Sequence, residues 1–337
     1  MVDLTTEYLG LKLKNPIVPS ASPLSRNLSD AQALEEAGAS ALVMYSLFEE
    51  KISQEDEHLA RFFYQQSIGH GEAESFHPVP DDYRSYEDEY LEQLHQLKNN
   101  LQIPVIASLN GITSGGWVEY GKALQQAGAD ALELNVYLLA VSSDEQSQQV
   151  EDRYVDILQN LRSHVSIPIT MKLSSQFSAL IPFTQRLQQA GANGIAIFNR
   201  FYQPDINLDS LHVEPKLELS TSQESLLRIR WAAILSDQLD CSLAITGGLH
   251  TYEDVLKALL AGADVTHMCS ALLKNGASHI SETLHQLQHW LEEKEYDSVQ
   301  QIKGSISRQH AIDPESYERA NYISVLDSYS HPDGVLR

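Results

Sequence analysis

One short pattern recurs four times along this 337-residue chain and restricts its fold more than any other feature. Ala37-Gly38-Ala39, Ala127-Gly128-Ala129, Ala190-Gly191-Ala192 and Ala261-Gly262-Ala263 each close an amphipathic stretch and open a short apolar run. A glycine just past a helix takes the left-handed C-cap conformation at little cost, and small neighbours let the chain turn directly into a buried strand. Each copy is read as a helix-to-strand joint. Four further apolar runs follow proline or polar residues: Pro16-Ile17-Val18-Pro19, Ile103-Pro104-Val105-Ile106, Ile167-Pro168-Ile169-Thr170 and Ser242-Leu243-Ala244-Ile245. Together they predict eight strands, near 17–21, 41–46, 104–109, 131–136, 168–173, 194–198, 242–246 and 265–269.

Near-continuous apolar strands alternating with helices mark a parallel sheet covered on both faces. Eight such units predict a (β/α)8 TIM barrel, with an open doubly wound sheet as the structural alternative. No break in composition divides the chain, so 1–337 is read as one domain with a C-terminal extension from about 295 to 337. Residues 47–103 and 200–222 are too long for simple joints. They follow strands 2 and 6, which makes them rim insertions at the C-terminal mouth, where barrels build binding sites.

Charge narrows the partners. Lys plus Arg total 23 against 46 Asp plus Glu, a formal charge of −23. Nucleic-acid backbones and anionic membranes repel such a chain, so any anionic ligand requires a local positive site. Cys241 and Cys269 both sit in apolar runs, which suggests a reduced compartment. With no basic-then-apolar segment at the N-terminus, the expected location is the cytoplasm. The 13 histidines form no His-Glu-x-x-His pair, and neither Cys-x-x-Cys nor Gly-x-Ser-x-Gly occurs. Metal and hydrolase chemistry are therefore not expected.

A barrel directs attention to polar residues at the C-terminal strand ends. These are Ser20 and Ser22, Tyr45 and Ser46, Asn110, Asn135, Lys172, Asn199, Thr246-Gly247-Gly248 and Cys269-Ser270. An ammonium at Lys172 would neutralise negative charge developing on a bound group. The loops after strands 7 and 8 are the recurrent phosphate site of such barrels, and Gly247-Gly248 and Cys269-Ser270 stand there. Asn110, Asn135 and Asn199 would converge on the same mouth with amide donors and acceptors. His267, inside strand 8, reads as a core or lumen histidine.

In order and spacing these elements resemble the dihydroorotate dehydrogenase family, from Leu9 to about Gly304. The matching segments are Asn15-Pro16-Ile17-Val18, Glu133-Leu134-Asn135, Met171-Lys172-Leu173, Ile197-Phe198-Asn199, Ile245-Thr246-Gly247-Gly248-Leu249 and Cys269-Ser270-Ala271-Leu272. The resemblance implies a flavin mononucleotide (FMN) in the mouth, contacted by Ser20, Ala21, Ser46, Asn135 and Lys172. Its phosphate would lie on Gly247, Gly248, Cys269 and Ser270. Lys172 would stabilise the anionic reduced flavin, while Asn110 and Asn199 would meet an orotate-like substrate. A homodimer is implied as well.

The departures are specific. Family members carry Asn-x-Ser-Cys-Pro-Asn, or a serine variant, after strand 4, and the Cys or Ser removes the substrate proton. Here the run is Asn135-Val136-Tyr137-Leu138-Leu139-Ala140, which places Leu138 at the base position. Leucine cannot abstract a proton, so Tyr137, or Ser142-Ser143, becomes the candidate replacement. Tyr45-Ser46 stand where a flavin-contacting lysine and serine are expected. The expected reaction is hydride transfer between dihydroorotate, or a related CH–CH substrate, and flavin. A soluble electron acceptor is expected, and the competing reading is a flavin- or phosphate-binding barrel without that activity.

Overall fold

The four Ala-Gly-Ala segments do in three dimensions what their composition predicts. In the computed structural model, which describes residues 2–67, 83–111, 113–200, 203–319 and 321–328, Gly38, Gly128, Gly191 and Gly262 all have φ between +97° and +111°. At each joint the alanine after the glycine donates its N–H five residues back, to Leu34, Leu124, Leu187 and Ala258. That bond closes the helix and reverses the chain. The next residue pairs with the preceding strand: Ser40 N donates to Ile17 O, Asp130 N to Val105 O, Asn193 N to Ile169 O and Asp264 N to Leu243 O. Three of these residues also return a side-chain oxygen to a strand N–H, Asp130 to Val105, Asn193 to Ile169 and Asp264 to Leu243.

The strands so aligned are β1 (Ile17–Pro19), β2 (Leu42–Phe48), β3 (Val105–Asn110), β4 (Ala131–Asn135), β5 (Ile169–Leu173), β6 (Gly194–Ile197), β7 (Ser242–Thr246) and β8 (Val265–Met268). All pair in parallel, in the order β1-β8-β7-β6-β5-β4-β3-β2. At the remaining β1–β2 seam, Ser40 donates both its N–H and its hydroxyl to Ile17 O, at 3.1 and 2.8 Å. The sheet is a nearly closed (β/α)8 barrel, and the open-sheet alternative is set aside.

An N-terminal hairpin, Thr6–Tyr8 with Leu11–Leu13, plugs the lower end. Tyr8, Leu9 and Leu13 pack with Val18, Val43, Ile106, Ala131, Ala196, Ala244 and Val265 as a buried cluster inside the ring. Gly194 leaves room for Leu9, whose Cδ2 lies 2.5 Å from where a Cβ would stand. Removing water from this layer leaves the upper lumen as the place for polar chemistry.

The first insertion contributes the helix Glu49–Ser67 after β2, and the second an antiparallel hairpin, Asp205–Asn207 with His212–Glu214, after β6. The first insertion also contributes the helix Tyr86–Asn100, with Tyr90 fully buried, while Tyr83 lies ahead of it and is exposed. Residues 68–82 of the first insertion, and Phe201-Tyr202 of the second, lie outside the described residues. The C-terminal extension straps the outside of the barrel: Gly304 N and Ile306 N donate to Leu259 O and Leu260 O, and Arg308 N donates to Ala233 O. No helix among the described residues is long and apolar enough to cross a membrane.

Candidate active site

Of the twelve residues given a cofactor-binding, substrate-binding or leading catalytic role above, ten border one cavity of about 260 Å³ at the C-terminal mouth: Ser20, Ala21, Ser46, Asn135, Lys172, Asn199, Gly247, Gly248, Cys269 and Ser270. The other two do not. Asn110 ends β3 and is buried, but it pairs in register with Phe48, which borders the cavity in its place. Tyr137 opens the irregular segment after β4 and is 39% exposed, away from the cavity wall. Leu138 packs inward against the core, and Ser142 and Ser143 are exposed. The loop after β4 thus brings no proton acceptor to this wall.

The lumen beneath the cavity holds a charged cluster that the sequence reading did not foresee. Glu133 in β4 is fully buried, and its Oε1 accepts from Lys172 Nζ in β5 at 3.1 Å. Pairing Asn135 with Lys172 in register places the two strands so that this contact is direct. Glu133 Oε2 lies 3.6 Å from His267 Nδ1 in β8, and among the described residues neither ring nitrogen has a hydrogen-bond partner. Tyr8 seals the floor with its ring edge-on to His267 at 5.7 Å, and its hydroxyl donates to Thr170 Oγ1 at 3.2 Å. Burial dominates the ionisation here. It pushes the His267 imidazole down to about 4, with Glu133 opposing and Lys172 reinforcing the shift, and it raises the Cys269 thiol.

A neutral buried histidine has a measurable consequence. The unfolded imidazole binds a proton below its ordinary value of 6.5, whereas the folded one stays neutral down to about 4. Its contribution to stability is present above 6.5 and is lost as pH falls from 6.5 to about 4. At about pH 5 the expected loss is roughly 2 kcal/mol. Denaturant titrations at neutral and mildly acid pH should show this drop, and His267→Gln should remove it. An identical pH slope in the variant would contradict the buried neutral imidazole.

Three loops lace together at the β6–β8 side of the mouth. Ser220 N donates to Ser270 Oγ at 3.1 Å, Gly248 N to Ser220 Oγ at 3.4 Å, and Ser220 Oγ lies 3.0 Å from His250 Nε2. Gly247 and Gly248 have φ of +92° and +80°. A Cβ on Gly247 would stand 2.8 Å from the Arg228 guanidinium, and one on Gly248 would fall on the Ser225 backbone. Only glycine lets the backbone pass there. Arg228, 7% exposed, fixes the turn from behind by donating to the carbonyls of Thr246, Glu224 and Phe198. Small residues and clustered hydroxyls make a polar surface of the kind that holds phosphate.

At the β4–β6 side, Asn199 Nδ2 donates to Asn135 Oδ1 at 2.7 Å. The pairing leaves one amide group of each residue for a ligand. At the β1–β2 side, Arg26 lies over the Tyr45 ring, 4.6 Å from its centroid, and Ser46 Oγ meets Ser108 Oγ at 2.8 Å. Burial pushes the Tyr45 phenol up to about 12, so it serves as a donor. Arg26, Lys172 and Arg200 border the cavity, and among the described residues no Asp or Glu does. In a chain with twice as many acidic as basic residues, that is a pronounced local reversal of charge. A second hollow, of about 700 Å³, opens at the barrel's other end. Its lining mixes Glu7, Asp240 and Asp264 with Lys12 and Lys303, and a Lys303–Asp264 ion pair closes on itself there. The C-terminal mouth is the better ligand site.

Fold and cavity together define a (β/α)8 barrel with a polar, cation-bearing cavity at its C-terminal mouth. Residues 84–291, more than half of the chain, match the family model described as dihydroorotate dehydrogenase. The chain belongs to the dihydroorotate dehydrogenase family and is an oxidoreductase acting on CH–CH groups. The catalytic subunit of dihydroorotate dehydrogenase B (NAD(+)) from Thermoplasma acidophilum is 24% identical over 317 residues, covering 90% of this chain and 99% of the relative. The NAD-dependent dihydropyrimidine dehydrogenase subunit PreA of Escherichia coli K12 is 23% identical, covering 95% and 80%. Dihydroorotate dehydrogenase A (fumarate) from Lactobacillus delbrueckii subsp. bulgaricus is 26% identical, covering 84% and 93%.

Sequence reading missed Glu133 and Arg26 as site residues, and it noted Ser220 only as standing where a phosphate-loop glycine often occurs, without its bonds to Ser270 and Gly248. Glu133 carried a usable signal, a carboxylate in the middle of an otherwise apolar buried strand. Arg26 is an isolated cation in the loop after the first strand of an acidic chain, and Ser220 depends on a fold-back of the second insertion that has no periodicity.

Proposed function

We propose that the mouth binds FMN and that the protein interconverts a CH–CH unit of a small ring substrate and the corresponding C=C bond, with dihydroorotate as the family default. The observation that carries this reading is a cavity wall that, among the described residues, bears three cations and no carboxylate in a strongly acidic chain. The chemistry of the wall fits the cofactor. The Gly247-Gly248 turn, Ser220 and Ser270 offer a phosphate cradle, and the turn keeps its path against Arg228 and the Ser225 backbone because neither glycine carries a Cβ. Lys172 and the Asn135–Asn199 pair offer donors to a heterocycle, and the buried, unpartnered His267 nitrogens face the same space.

When bound, FMN supplies the two-electron exchange with the substrate. The chain's own residues then have distinct tasks. Ser220, Gly248 and Ser270 hold the phosphate, while Arg228 keeps their turn in place. Lys172 presents a positive charge where negative charge develops, and Glu133 fixes the ammonium in the lumen so that no reorganisation is needed. Tyr8 and the hairpin below exclude water from that charge pair. The reading includes a soluble electron acceptor, a homodimer and a cytoplasmic location.

The test is direct. Purified protein should be yellow with about one flavin per chain, and anaerobic addition of dihydroorotate should bleach it. An unchanged flavin spectrum would remove dihydroorotate as the substrate. Leu138 at the family's base position supports a second reading, a barrel that keeps flavin without dihydroorotate oxidation, and that outcome would favour it.

A further inference from the structure

Three cations border the mouth, and two are already answered. Lys172 is paired with Glu133, and Arg200 with Glu224 at 3.1 Å and the Glu218 carbonyl. Arg26 is different. No ion pair or hydrogen bond holds its guanidinium among the described residues, and its one partner is the face of Tyr45. That contact orients the guanidinium without neutralising it.

The turn that displays Arg26 is fixed from several sides. Ser22 Oγ accepts from Leu24 N, and the buried Ser25 hydroxyl donates to Ser22 O while accepting from Tyr45 N at 2.7 Å. Gln93 Nε2 donates to Ser25 O at 3.0 Å. Arg26 is therefore a charged fork on an anchored turn. It enters from the β1–β2 side of the mouth, whereas the phosphate cradle sits on the β6–β8 side. With the phosphate met by the cradle, a second anionic group is needed to answer Arg26.

We propose that Arg26 is the specificity residue of this site and that it selects a substrate ring bearing a carboxylate over the same ring without one. The inference rests on the FMN reading above. A guanidinium matches a carboxylate with two parallel hydrogen bonds, which a lysine's point charge cannot reproduce. The relatives include both types by name, dihydroorotate dehydrogenases and a dihydropyrimidine dehydrogenase subunit, so the choice separates two activities within the family.

The experiment uses orotate and uracil, which share a ring and differ in the carboxylate. Both are titrated calorimetrically into the protein as isolated, and into Arg26→Met and Arg26→Lys. Flavin content is scored separately by absorbance, so that failure of the cofactor reading is seen on its own. The wild type should bind orotate at least about tenfold tighter than uracil, the loss of one charge-assisted contact. Arg26→Met should bind the two alike, and Arg26→Lys should fall between. Equal affinities in the wild type, an orotate preference that survives Arg26→Met, or binding of neither ring would overturn the assignment.

Discussion

Lys172→Met should unfold at markedly lower denaturant than the wild type, by about 3–5 kcal/mol at neutral pH, because it strands the Glu133 carboxylate in the lumen. Glu133 is fully buried, and Lys172 is the one hydrogen-bond donor it has among the described residues. The double variant Lys172→Met/Glu133→Gln removes both charges and should regain most of that stability, since replacing a buried pair is far cheaper than breaking it. Flavin reduction should not recover with it. The double variant lacks the positive charge at the mouth, and losing one preorganised stabilising group costs about 10²–10³ in rate. Denaturant midpoints and stopped-flow bleaching separate the two effects. A single variant as stable as the wild type would show that the pair is not coupled, and a double variant that reduces at the wild-type rate would remove Lys172 from the chemistry.

Gly248→Val should yield protein almost devoid of flavin. Its φ of +80° costs a β-branched residue of order 1–3 kcal/mol, and the new Cβ would meet the Ser225 backbone. Backbone, unlike a flexible side chain, cannot move aside without displacing the start of the helix Ser225–Leu235. The cradle formed with Ser220 opens in consequence. Ser270→Ala removes one hydroxyl and should weaken retention by only about tenfold, the value of a single hydrogen bond to a charged group. Flavin-to-protein ratios after dialysis check both, with circular dichroism to confirm that the barrel persists. Full flavin content in Gly248→Val would place the phosphate elsewhere.

How much of this was legible in the sequence follows from the range of the interactions involved. The joints at Gly38, Gly128, Gly191 and Gly262 depend on neighbours within one helical turn, and so the barrel could be read from its local chemistry. Glycine turns after β7 and the lysine in β5 were also visible, because the barrel's topology dictates where strand ends go. Asn110 was placed one step too generously. Strand ends are close together, but Phe48 on the neighbouring strand takes the cavity wall beside it. Tyr137 was singled out by elimination in the loop after β4, and nothing in the local pattern shows whether such a loop turns toward the mouth. The plug formed by Tyr8 and Leu9, the Glu133–Lys172 pair and the Ser220 bridge join residues far apart in the chain. Such contacts leave no periodic trace. Arg26 reads as ordinary surface charge until the structure shows it anchored over Tyr45 with no carboxylate paired to it among the described residues.

The central claim is that one cavity, with a phosphate cradle on one side and Lys172 on its floor, is an FMN site. Titrating flavin-free protein with FMN and with riboflavin, which differ only in the phosphate, tests it most directly. FMN should bind at one per chain and about 100-fold tighter than riboflavin, reflecting one or two charge-assisted contacts to the cradle. Equal affinity for the two, or no binding of either, would contradict it.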